Sequence, residues 1–119
     1  MDKVNLREVL GRFDTQWDPK IVGELNGQHV KLVKIEGEFV WHSHAEEDEL
    51  FLVLDGSLEM RFRDRVVTVD AGEFIIVPRG TEHRPAARSE AHVLLFEPAS
   101  TLNTGDAVSE RTVREPERL

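Results

Sequence analysis

His42 and His44 stand two residues apart, Glu49 follows five residues later, and His83 lies much farther along the chain. Alternate residues of a strand share a face, so an extended His42-Ser43-His44 presents two imidazoles to one point. The odd offset to Glu49 aims that side chain away unless the chain turns, and the polar run Ala45-Glu46-Glu47-Asp48 can make the turn. Glu49 then returns on the next strand facing the same point, and His83 arrives from a distant strand. With no cysteine in the chain, three neutral imidazoles and one carboxylate form a set suited to one divalent transition metal: Fe, Mn, Ni, Zn or Cu. A lone strand histidine is usually packed or exposed. Four such residues, each beside a glycine or proline, point instead to a metal site.

The same residues carry a resemblance to the cupins. Gly37, His42, His44, Glu49 and Gly56 match the first motif of that superfamily, except that four residues rather than five separate Gly37 from His42. Gly72, Pro78, Gly80 and His83 match the second motif, whose final asparagine is Ala87 here. The resemblance implies that His42, His44, Glu49 and His83 are the metal ligands, and the Ala87 departure touches none of them. The chain looks most like the small single-domain cupins with an RmlC-like, isomerase-like label, which by itself proves no chemistry.

The elements needed to position these residues can be read in order. Asn5 offers a cap for a short helix carrying Leu6, Val9, Leu10 and Phe13, with Gly11 as a stop. Trp17, Pro19, Ile21 and Val22 suit an extended edge strand, with Trp17 a packing residue rather than a ligand-binding one. Asn26-Gly27 is the strongest short hairpin signal, leading into a strand from Val30 to Ile35. A strand over Phe39–His44 would place Val40, His42 and His44 on one face and Phe39, Trp41 and Ser43 on the other. Leu50 to Leu54 reads as a strand buried on both faces. Leu58, Met60 and Phe62 alternate with Glu59, Arg61 and Arg63, so the former should face inward. Val66–Val69, Phe74–Val77 and Ala91–Phe96 supply further strands. His29 and His92 read as structural, because neither has a partner at ligand spacing.

Eight or nine short strands with regular turns predict an all-β fold, a double-stranded β-helix or jelly-roll barrel with a short N-terminal helix. One domain is expected: residues 1–28 as helix and edge segment, 29–98 as barrel, and 99–119 as a charged tail. That tail is either loosely ordered or laid over the barrel or a partner subunit.

The chain has 119 residues, 39% of them hydrophobic, and a net charge of -8. Such acidity argues against nucleic acid or anionic membrane as partner. The absence of a long apolar run or a signal-like start leads us to expect a cytoplasmic protein. Trp41, the Leu50–Leu54 strand and the N-terminal apolar residues predict a homodimer, since one small barrel has one interior.

Four protein ligands on a six-coordinate metal would leave two positions for water, a small-molecule ligand or dioxygen. The reading is therefore a metal-dependent enzyme on a small oxygenated molecule: a sugar-derivative isomerase or lyase, or a diketone or enol dioxygenase. Val40, Phe51, Val53, Met60 and Phe62 are the expected pocket lining; no general base is evident among them, so Glu49 itself or a metal-bound hydroxide would carry any proton transfer. The alternative is a non-catalytic metal- or ligand-binding module.

Overall fold

A computed structural model describes residues 1–119. Asn5 Oδ1 accepts from Glu8 N at 3.0 Å and opens α1 (Leu6–Leu10), which Gly11 closes by donating to Arg7 O and Glu8 O. The helix buries only Val9. Leu6 and Leu10 are half-buried beside it, and Arg7 and Glu8 are exposed.

Two strands follow, β1 (Lys20–Leu25) and β2 (Gln28–Glu38), joined through Asn26 and Gly27 at φ 51° and 75°. Positive φ at both turn residues matches the right-handed twist of a two-residue hairpin. The chain continues through β3 (Glu49–Asp55), β4 (Ser57–Arg61), β5 (Val66–Asp70), β6 (Phe74–Val77) and β7 (Arg84–Pro98). All pairings are antiparallel, in the order β1-β2-β7-β3-β6, with β4 bonded to both β5 and the start of β7. The long β7 thus pairs with β2, β3 and β4 and closes the jelly roll. At the β3–β4 turn Gly56 has φ +82°, and a Cβ there would sit 3.1 Å from the Ala91 Cα, so this corner accepts glycine alone.

The interior is filled from alternate positions. Val33, Ile35, Phe51, Val53, Leu58, Met60, Val93 and Leu95 belong to one buried apolar cluster. Along β3 only Glu49, Phe51 and Val53 are buried. The expected burial on both faces is therefore corrected: Leu50, Leu52 and Leu54 are half-buried, because no second layer covers the outer side of β3. The register aligns Leu50 with Ile76 and Phe96, and Leu52 with Phe74 and Leu94. Phe74 and Ile76 end these apolar rows at 61% and 54% exposure. Nearer β1 the chain covers itself. Lys34 Nζ donates to Phe13 O and, with Lys20, lies over the Phe13 ring, while Trp17 and Ile21 are buried.

Two further expectations change. Residues 39–44 form no strand; they hold one isolated bridge, His42 to His83, and the barrel has seven strands. The β2–β7 register shifts between Ile35 and Gly37, which has φ +79°, and the ladder resumes over Gly37 and Glu38 alone before this run. Strict face alternation fails as a result. Phe39 turns inward and stacks on Trp17 at 4.7 Å, while Val40 packs partly buried on the core. The tail is laid over its own barrel: Ile21 N donates to Glu117 O and Leu119 N to Ile21 O.

Candidate metal centre

His42 and His83 are brought together by reciprocal backbone bonds, His42 N to His83 O at 3.1 Å and His83 N to His42 O at 2.9 Å. Gly80 N donates to His44 O at 2.7 Å, fixing the second histidine against the corner that Pro78 shapes. Glu49 begins β3 with its side chain on the inner face. One ligand atom from each of His42, His44, Glu49 and His83 lies within 4.8 Å of the others, and all four residues are buried.

Donors at 2.0–2.2 Å from a common centre can be at most about 4.4 Å apart, so closure on an ion needs shifts of a few tenths of an ångström. His42 Nδ1 lies 2.9 Å from Val40 O and His83 Nδ1 lies 2.9 Å from Thr81 O. Assigning the ring proton to Nδ1 in both leaves Nε2 bare. A metal-bound histidine commonly has its other nitrogen anchored to a carbonyl in this way. His44 Nε2, His83 Nε2 and Glu49 Oε1 are buried without an aligned hydrogen-bond partner, although the two nitrogens lie 2.8 and 3.5 Å from that oxygen. Buried polar atoms are rarely left so. The donor set and its bare atoms fit a divalent transition metal held by these four residues.

Electrostatics prepares the same state. Burial is the main cause that lowers the His42 pKa from 6.5 to about 4, with the nearby His83 adding to it. The ring is therefore neutral at physiological pH, as a ligand must be. Burial would raise Glu49, but the Glu97 carboxyl and the His44 and His83 rings outweigh it and hold Glu49 well below the ordinary carboxylate range. Glu97 goes the other way, pushed well above that range by burial and by Glu49 against the pull of Lys31. Of the two carboxyls, Glu49 is the anion and Glu97 keeps the proton.

Behind His42 and Glu49 lies a cavity of about 40 Å³, room for a few waters at most. Trp17, Val33, Phe39, Phe51, Leu58 and Leu95 are among its walls, and Glu97 and Asn103 are its polar members beyond the ligands. Of the five residues expected to line a substrate pocket, Phe51 does so. Val53 and Met60 are fully buried in the core, and Val40 and Phe62 pack partly buried at its edge. Inward parity selects the barrel interior as a whole; cavity-lining depends also on depth. Trp17 both packs and lines the cavity, its Nε1 donating to Glu36 O at 2.9 Å. Trp41 lies under the Arg63 guanidinium, 3.9 Å from the ring centre. His29 beside Glu24 at 3.3 Å and His92 beside Glu90 at 3.1 Å stand outside the cluster.

The residues that sequence reasoning missed are Glu97, Lys31 and the tail. Lys31 Nζ holds Glu97 Oε1 at 2.9 Å, both side chains 2% exposed. Extending the Ala91-Val93-Leu95 alternation by one step puts Glu97 inside the barrel, a signal that was present. From the tail, Asn103 lines the cavity and Asp106 Oδ1 accepts from Ser43 N at 2.9 Å, the bond that most lowers the Asp106 pKa.

The family described as cupin domain, Cupin_2, matches residues 28–97. The chain belongs to this cupin domain family. A crystal structure of a cupin-2 domain containing protein from Shewanella frigidimarina NCIMB 400 superposes with a TM-score of 0.79 at 43% identity, covering 80% of this chain and 93% of that one. Protein NMB1881 from Neisseria meningitidis gives 0.76 at 28% identity, covering 82% and 100%. In sequence the cupin is 41% identical over 64 residues to the uncharacterized protein YdbB of Bacillus subtilis (strain 168), covering 53% of this chain and 57% of that protein. The match thus spans little more than half of that curated relative. No helix of this cupin is long and apolar enough to cross a membrane.

Proposed function

We propose that this cupin is a metal-dependent enzyme acting on a compact, largely apolar molecule that chelates the metal through two oxygens, of the diketone or enol class. The observation that carries this reading is the cavity wall. Beyond the metal ligands it holds no lysine or arginine and two polar side chains, Glu97 and Asn103. Asn103 is already committed, its Nδ2 donating to Arg111 O and its Oδ1 accepting from Val113 N. A sugar derivative would bury several hydroxyls here without partners, each at a cost of about 1–3 kcal/mol. A diketone or enol places its two oxygens at the metal and its carbon skeleton along the apolar wall, for which the cavity must widen beyond its about 40 Å³.

When bound, the metal supplies Lewis-acid polarisation of a carbonyl or, if iron, dioxygen activation. The protein's own groups do the rest. His42 and His83 are held at their Nδ1 atoms so that Nε2 faces the centre. Phe39, Phe51 and Leu95 exclude water and align the ligand. Glu49 is occupied as a ligand, which leaves Glu97 as the remaining cavity carboxyl, its Oε1 fixed by Lys31 and its proton shared with Glu49.

Aerobic incubation of iron-loaded protein with a panel of diketones, read as oxygen uptake, tests the reading. Metal-dependent uptake with an apolar diketone is expected. Metal-dependent turnover of unsaturated uronates instead would reverse the choice of substrate class. Metal binding with no turnover across both panels would favour a non-catalytic binding module.

A further inference from the structure

Three consecutive residues at the centre are tied alternately to two different segments, the β6–β7 corner and the tail. His42 is bonded to His83 and His44 to Gly80, whereas Ser43 is bonded to the tail: Ser43 N donates to Asp106 Oδ1 at 2.9 Å and Asp106 N donates to Ser43 O at 3.1 Å. Ser43 Oγ adds a longer contact to Asp106 Oδ2 at 3.4 Å. Residues 39–44 lie outside any strand, so these bonds do the work that a ladder would do elsewhere.

Next to Asp106 the tail presses on the ligand itself. Gly105 has φ +52°, and a Cβ there would come 2.2 Å from Ser43 O and 3.2 Å from His42 Cδ2. Such an approach is open only to glycine. The segment is stiff enough to transmit it. Thr104 is fully buried with its hydroxyl 2.7 Å from that of Thr112, and Asn103 bridges Arg111 O and Val113 N.

We infer that Asp106 and Gly105 are positioning residues of the metal centre, holding Ser43 so that His42 and His44 converge, and that metal binding and tail docking stabilise each other. The inference rests on the metal reading above. Coupling of this kind is reciprocal by linkage: what the tail contributes to metal affinity, the metal returns to the tail.

Cobalt(II) titration of the full-length chain tests it, with the visible absorption of the ion reporting its ligand set. Asp106→Ala should bind cobalt ten- to a hundredfold more weakly, the usual effect of removing a group that orients a ligand, and with an altered spectrum. Asp106→Asn keeps an acceptor for Ser43 N and should recover most of the affinity; Gly105→Ala should lose it. A residue that merely stabilises the fold would lower the melting temperatures of the metal-free and cobalt-bound forms equally and leave affinity unmoved. Affinity within twofold of wild type in Asp106→Ala would overturn the inference while leaving the metal site intact, whereas no cobalt binding by the wild type would overturn both. If Asp106→Ala does not fold, amide exchange on the wild type decides. The Ser43 and Asp106 amides should exchange more slowly with cobalt bound, and unchanged protection would overturn the coupling.

Discussion

Acid should destabilise the metal-free cupin through His42 in a measurable and attributable way. The folded-state pKa of this ring, about 4, lies below its ordinary value of 6.5. Below pH 6.5 the unfolded chain therefore takes up a proton that the folded chain refuses until about pH 4. Stability contributed by the neutral ring is fully present above 6.5, falls by about 1.4 kcal/mol for each pH unit between the two values, and levels off below the lower one. Over that window the loss is about 3 kcal/mol, a large share of the ~5–15 kcal/mol of a typical domain. Chelator-treated wild type and His42→Gln, which cannot titrate, would be unfolded in urea at steps from pH 7.5 to 4. The wild-type curve should fall toward that of the variant by about 3 kcal/mol as pH drops. Parallel curves would show that burial of the ring does not govern its titration, and would remove the argument that the site is prepared for neutral imidazole.

Other perturbations probe the packing around the centre. Lys31→Met removes the buried hydrogen bond that fixes Glu97 Oε1 and should cost about 1–3 kcal/mol. Because Glu97 already keeps its proton, the loss should be nearly constant from pH 5 to 8 in urea unfolding; a loss that grows steeply with pH would contradict this. Leu58→Ala, at a fully buried position of the core cluster, should lower stability by about 2–5 kcal/mol, again read in urea. We also propose a homodimer seated on the Leu50-Leu52-Phe74-Ile76 face: light scattering at micromolar concentration should give twice the 13.6 kDa chain mass, returning to the chain mass in Phe74→Glu/Ile76→Glu, and a wild-type monomer would refute it.

Much of this architecture is written locally. Asn26-Gly27 specifies its hairpin, Asn5 and Gly11 bound the helix, and the alternation of Leu58 and Met60 with Glu59 and Arg61 sets which side of β4 faces in. The clustering of His42, His44, Glu49 and His83 is legible too, since they carry their own punctuation. What failed was reasoning that assumed a regular strand. Residues 39–44 depart from one after Gly37, so Phe39 rather than Val40 lines the cavity, and Val53 and Met60 proved too deep to reach it. The Asp106 contact with Ser43 spans 63 residues and leaves no local trace. Nor does the Glu97–Lys31 pair, whose meaning depends on the register that sets β2 beside β7.

The central claim is that His42, His44, Glu49 and His83 hold one metal ion. Elemental analysis of protein purified without a nickel column, before and after loading with a divalent transition metal, tests it most directly when wild type is run beside His42→Ala and His83→Ala variants shown by circular dichroism to be folded. The account predicts one tightly held equivalent per wild-type chain and little in either variant. Full stoichiometry in the folded variants, or none in the loaded wild type, would contradict it.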